Sequence, residues 1–135
     1  MGALTAVVAI LALVDGLCHL SIDLFAQKVF ATGKWNTFSY LFLLQFLGAV
    51  ALVVALYASE RASLAQRRIV GALLAIYPAV TFIAWVYLTK AKGNPMNLAT
   101  IDKPVEVILV IVAGYRVYQL GQSTAAKSIV SPARG

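Results

Sequence analysis

Charge is what this sequence has least of. Asp, Glu, Lys and Arg make up 12% of its 135 residues, where a soluble domain carries about a quarter. At the same time 61% are Ala, Val, Ile, Leu, Met, Phe, Trp, Tyr or Cys. So little charge cannot cover a water-exposed surface, which points to a bilayer. The 11 basic residues are spread over loops and tails and never form a dense run. That excludes the basic footprint of a nucleic-acid binder and leaves charge at membrane interfaces. A single cysteine, Cys18, excludes an intrachain disulfide and says nothing of redox compartment. The sequence also lacks a nucleophile–base–acid set, a phosphate-cradling glycine loop and a paired-cysteine motif.

What is present is apolar sequence in four long stretches. A bilayer core needs about 20 helical residues per crossing. Four such spans leave too little polar sequence for a Rossmann unit, a zinc ribbon or any other large extramembrane domain. The expected fold is an all-α bundle of four transmembrane helices, one domain over residues 1–120, with spans at about 3–26, 37–58, 69–89 and 104–120. The apolar N-terminus has no Lys or Arg ahead of it and no small-x-small site after it, and Leu17 before Cys18 argues against a lipoprotein cleavage site. It is read as a retained span. Lys28, Gly33 and Lys34 mark the first break, and Ser59 to Arg68 the polar middle turn. The broken stretch Lys90 to Lys103 forms the third connector, with Pro104 at the first turn of the last helix. Pro78 should kink the third helix, and residues 121–135 read as a polar tail. Trp35, Tyr40, Tyr57, Trp85 and Tyr87 fall near span ends, where aromatic rings favour the interface.

An even number of spans places both termini on one side. That side, with the middle turn, holds Arg61, Arg67, Arg68, Arg116, Lys127 and Arg134, against Lys28, Lys34, Lys90, Lys92 and Lys103 on the other. The three arginines of the short middle turn lie close to membrane ends, so the termini are expected to be cytoplasmic.

The polar residues inside the spans carry the functional expectation. Asp15, His19 and Asp23 recur every fourth residue and share one helix stripe, continued by Gln27. A charged Asp near the membrane centre costs about 2.5–3.5 kcal/mol on insertion scales, so Asp15 should be protonated, paired or in a watery cavity. Depth counted along each helix puts Asp15 level with Tyr77, His19 with Gln45 and Thr81, and Asp23 with Tyr40, Lys103 and Glu106. The expected bundle is dry toward the termini and polar inside toward the lysine-bearing loops. Lys103 should bridge Asp23 or Glu106 there and act as a gate if that layer closes.

Each of these residues also has a purely structural reading. Glu106 suits a helix N-terminus, Lys103 can snorkel to the interface, and His19 can hydrogen-bond a neighbouring helix. As metal ligands, Asp15, His19 and Asp23 offer two oxygens and a nitrogen, and Glu106 a further oxygen. One ion cannot reach both ends of the stripe, about 12 Å apart. Asp15 with His19, or His19 with Asp23, plus a residue from another helix, is the workable set. Axial ligation of haem or chlorophyll by His19, beside Gly16, is a further option. Gly48, Gly71 and Gly114 read as points of close helix packing.

The block from Asn97 to Ile111, with the Arg67–Arg68 pair opening the third helix, resembles a group of small four-helix prokaryotic membrane proteins of uncharacterised function. In that group a Lys-x-x-Glu step opens the last helix, matched here by Lys103 and Glu106. The resemblance covers the last two helices. It implies the four-helix topology, a prokaryotic cytoplasmic membrane, and a joint role for Lys103 and Glu106, but no reaction.

Two functional classes follow. One is a non-catalytic accessory subunit packed against a larger membrane complex or a second copy, with Phe25, Phe30, Phe42, Phe46 and Phe82 for lateral contacts. The other is a protein that binds or transports a small molecule, lipid, quinone, metal or proton in a cavity lined by Asp15, His19, Asp23, Gln45, Tyr77, Thr81, Lys103 and Glu106. An enzyme is the least expected class, because one polar cluster stands without a cofactor motif.

Overall fold

The structure, a computed structural model, describes residues 2–26, 28–92 and 99–130, with side chains at 2–22, 24–25, 28–37, 39–87 and 102–123. It is all-helical among the described residues. Helix α1 (Ala3–Ser21) passes into a π-helical turn over Ile22–Ala26, followed by the single turn α2 (Val29–Thr32) and by α3 (Thr37–Ser59), α4 (Leu64–Lys92) and α5 (Ala99–Val130). Four of these helices, α1, α3, α4 and α5, are long and apolar enough to cross a membrane.

Local chemistry sets the boundaries. Lys28 and Gly33, at φ +50° and +66°, bracket α2 in the left-handed region. The Asn36 side chain caps α3 by accepting from the Ser39 N–H at 3.0 Å. A reciprocal capping box starts α4: Ser63 N–H donates to Gln66 Oε1 at 3.0 Å, and Gln66 N–H donates to Ser63 Oγ at 3.3 Å. That box starts α4 at Leu64, five residues ahead of the expected Ile69. α5 likewise begins before the expected Pro104, which therefore sits inside the helix, and residues 121–130 of the expected tail continue it.

The four long helices form a ring in which each packs beside its neighbours in the chain and α5 closes against α1. The α1–α3 seam is tight at Gly16, where an added Cβ would stand 2.9 Å from Ala49 Cβ. Gly48 meets the Tyr77 ring, and Gly71 meets Val117. Gly114, by contrast, has nothing within 4 Å of the Cβ position and is not a packing point. A dry core of Val8, Ala9, Ala12, Val53, Leu56, Leu74, Leu109 and Ala113 fills the terminal half of the ring.

The terminal half is not dry to its end. Beyond that core, the buried Arg116 donates through Nη2 to Glu60 Oε1 at 2.5 Å and through Nε to Thr5 Oγ1 at 3.2 Å. Thr5 Oγ1 in turn donates to Glu60 Oε1 at 3.1 Å. Arg67 donates to the carbonyls of Ser59 and Glu60. This clasp joins α1, the end of α3, the start of α4 and α5. Glu60 and Arg116 read as interfacial charge in the sequence, and the closure of the ring instead pairs them. Of the five phenylalanines expected on lateral faces, Phe25 and Phe30 are exposed. Phe42 packs on the His19 ring, Phe46 lies at Gly16, and Phe82 packs on Trp85.

Candidate functional site

The other polar layer lies at the far end of the dry core, where α1, α4 and α5 meet. Of the five acidic residues in the chain, three, Asp15, Asp102 and Glu106, are buried here at 0–1% exposure. Asp15 and His19 stand one turn apart on α1, and Asp102 and Glu106 one turn apart on α5. Each i,i+4 pair lies on one helix face, and the α1–α5 seam brings the two faces together. One ligand-capable atom from each of the four residues lies within 4.8 Å of the others.

The His19 ring is anchored at Nδ1. Its Nδ1 lies 2.9 Å from the Asp15 carbonyl. A carbonyl only accepts, so Nδ1 carries the hydrogen and Nε2 is left facing α5. There Nε2 lies 3.4 Å from Asp102 Oδ2 and 3.8 Å from Glu106 Oε1. Lys103 brings its ammonium to the same two oxygens, 2.7 Å from Glu106 Oε1 and 3.1 Å from Asp102 Oδ2. The Lys103 Nζ also lies 5.6 Å from the centre of the Trp85 ring, within cation–π range. Thr81, from α4, donates to Glu106 Oε1 at 2.9 Å.

Several acceptors in this layer remain unmatched. Both Asp15 carboxylate oxygens, Asp102 Oδ1 and Glu106 Oε2 are buried without a hydrogen-bond donor. Three carboxylates outnumber the cationic groups that Lys103 and His19 can together supply, so a fully ionised layer is short of positive charge. In low-dielectric surroundings an uncompensated charge is expensive, and neutralisation by a cation or by protons relieves it.

The residues expected from the sequence divide as follows. Asp15, His19, Thr81, Lys103 and Glu106 form one connected group. Tyr77 instead donates to the Gln45 carbonyl at 2.5 Å, tying α4 to α3 beside the group, and the Gln45 Nε2 is buried without a partner. Tyr40 is 60% exposed and stacks on Trp35. The side chain of Asp23, and Gln27, lie outside the described residues. Asp102 falls in the connector by sequence, but it lies inside α5 and completes the group. Its four-residue spacing from Glu106 repeats that of Asp15 and His19, and that repetition is the signal that could have found it.

A groove of about 270 Å³ runs between α4 and α5, lined by Ala79, Phe82, Ile83, Val107, Val110 and Ile111, with the buried Glu106 behind them. Its accessible wall is wholly apolar, with no polar group to orient a quinone or a lipid head group. No family model, characterised protein or solved structure matches this chain.

Proposed function

We propose that this chain is a small integral membrane protein that binds a small cation in the polar layer between α1 and α5, with Asp15, His19, Asp102 and Glu106 as its donors. The observation that carries this reading is that both Asp15 oxygens lack a donor at zero exposure, in a layer with two further buried carboxylates. An intramembrane carboxylate of this kind marks an ion or substrate site by default. The four apolar helices support membrane insertion, and Arg61, Arg67 and Arg68 beside the middle turn support cytoplasmic termini.

The accessory-subunit reading gains less support. Exposed large apolar residues are spread over every long helix, among them Ile10 and Leu17, Leu44 and Val54, Ile83, and Ile111. Such a distribution suits lipid on all sides and favours no face for a protein partner.

The test is thermal unfolding of the detergent-purified chain against a panel of Na⁺, K⁺, Mg²⁺, Ca²⁺, Mn²⁺, Co²⁺ and Zn²⁺. An ion that binds only the folded state stabilises it by about 2.7 kcal/mol at 100 times its Kd. At least one member of the panel should raise the midpoint in the wild type and not in Asp15→Asn. If no cation raises it, or the variant responds equally, the reading fails.

A further inference from the structure

We infer that the cation is a divalent transition metal ion, bound by Asp15, His19, Asp102 and Glu106 in exchange for the Lys103 ammonium. The inference rests on the cation reading above and narrows it. Its first support is the orientation of His19. Metal-binding imidazoles commonly donate their second ring N–H to a backbone carbonyl, which fixes the tautomer and aims the other nitrogen at the metal. The Nδ1 contact with the Asp15 carbonyl does this at 2.9 Å.

The second support is spacing. In this orientation Nε2 faces the carboxylate oxygens of Asp102 and Glu106 at 3.4 and 3.8 Å. A proton on the nitrogen or a cation between the nitrogen and the oxygens makes that approach favourable. In a tetrahedral shell with bonds of about 2.0–2.2 Å, neighbouring donor atoms lie about 3.4 Å apart. The His19–Asp102 separation already has that value. The widest separation allowed within the set, 4.8 Å, has to close by about 1.4 Å to reach it, a movement within reach of side-chain torsions.

The third support is the place taken by Lys103. Its ammonium touches the same Asp102 Oδ2 and Glu106 Oε1 that face His19, so a positive charge already occupies part of the position a metal would take. Two ammonium contacts are traded for metal–oxygen bonds when the ion enters. The flexible lysine stem can then withdraw along the Trp85 face, where the ring quadrupole still favours its charge. One imidazole and three carboxylates suit Zn²⁺, Fe²⁺, Mn²⁺ or Co²⁺ better than Mg²⁺ or Ca²⁺, which prefer all-oxygen shells.

The test uses Co²⁺ and Zn²⁺ with the full chain in detergent micelles. Cobalt titration should give d–d bands that saturate at one ion per chain and are absent in His19→Gln. Lys103→Met should bind Co²⁺ at least about tenfold more tightly, because no ammonium has to be displaced. X-ray absorption of the Zn²⁺-loaded wild type should show one imidazole in an otherwise oxygen shell, which tests ligation even if His19→Gln fails to fold. Absent cobalt binding, equal binding in a folded His19→Gln, a shell without imidazole, or unchanged or weaker binding in Lys103→Met would each overturn the inference. If Ca²⁺ or another ion of the earlier panel still stabilises the wild type through Asp15, the cation reading survives and only the metal assignment falls. If nothing in that panel acts, both fall together.

Discussion

Replacing Glu60 with Gln removes one charge from the clasp at the terminal end and keeps its shape. The Arg116 side chain is 5% exposed and that of Glu60 24%, so the guanidinium loses its carboxylate where water cannot replace it. Arg116 Nη1 is already buried without a partner, and Thr5 loses a charged acceptor. Removing one member of a buried pair costs about 3–5 kcal/mol. The partial exposure of Glu60 places the expected loss near the lower end, about 3 kcal/mol. Unfolding by sodium dodecyl sulfate in mixed micelles, followed by helix circular dichroism, measures it. A cycle with Arg116→Met should return a coupling of about 1–3 kcal/mol. The pH dependence has a definite sign. Burial pushes the Glu60 carboxyl up, but its hydrogen bonds to Arg116 and Thr5 and the charges of Arg116 and Arg67 outweigh burial and hold it below its ordinary 4.5. A folded-state value below the unfolded one gives stability that is complete above pH 4.5 and drains as pH falls through the lowered value. The wild type should therefore lose stability in that acid range more steeply than Glu60→Gln. A variant within about 0.5 kcal/mol of wild type, with the same acid profile, would refute the clasp as a stabilising element.

Other consequences are simpler. Gly16→Val should separate α1 from α3, because the first added carbon already meets Ala49 at 2.9 Å; overpacking of this kind costs about 1–3 kcal/mol, read in the same unfolding assay. Tyr77→Phe should cost about 1 kcal/mol by removing the hydrogen bond to the Gln45 carbonyl, and should leave cation binding unchanged because Tyr77 ties α4 to α3 outside the donor set. In a Cys18→Ala background, Lys34→Cys and Ser123→Cys should label unequally with an impermeant reagent added outside intact cells, and equal labelling would exclude four crossings.

The parts of this molecule that were legible in the sequence are those where one helix supplies the signal. Four apolar runs give four long helices, and the four-residue step from Asp15 to His19 marks a polar face whatever lies opposite. Glu106 and Lys103 stand out for the same reason, as ionisable residues at the edge of an apolar run. Asp102 was hidden because α5 begins five residues before Pro104, and proline inside a first-turn pattern reads as the helix start. The clasp was hidden more deeply. Glu60 and Arg116 are 56 positions apart, each beside polar sequence that explains it as interfacial charge, and only the closure of α5 against α1 and α3 joins them. The Ser63–Gln66 capping box was legible in principle, since Ser-x-x-Gln is a helix-start signature, but it lies ahead of the apolar run that defines the span.

Equilibrium dialysis of the purified wild type against Co²⁺, with ions counted per chain, decides whether the polar layer between α1 and α5 holds an ion. Uptake should saturate at one ion per chain and be abolished when Asp15→Asn and Glu106→Gln are combined in a protein that retains its helix content. Uptake that never saturates, or that persists unchanged in the double variant, would contradict such a site.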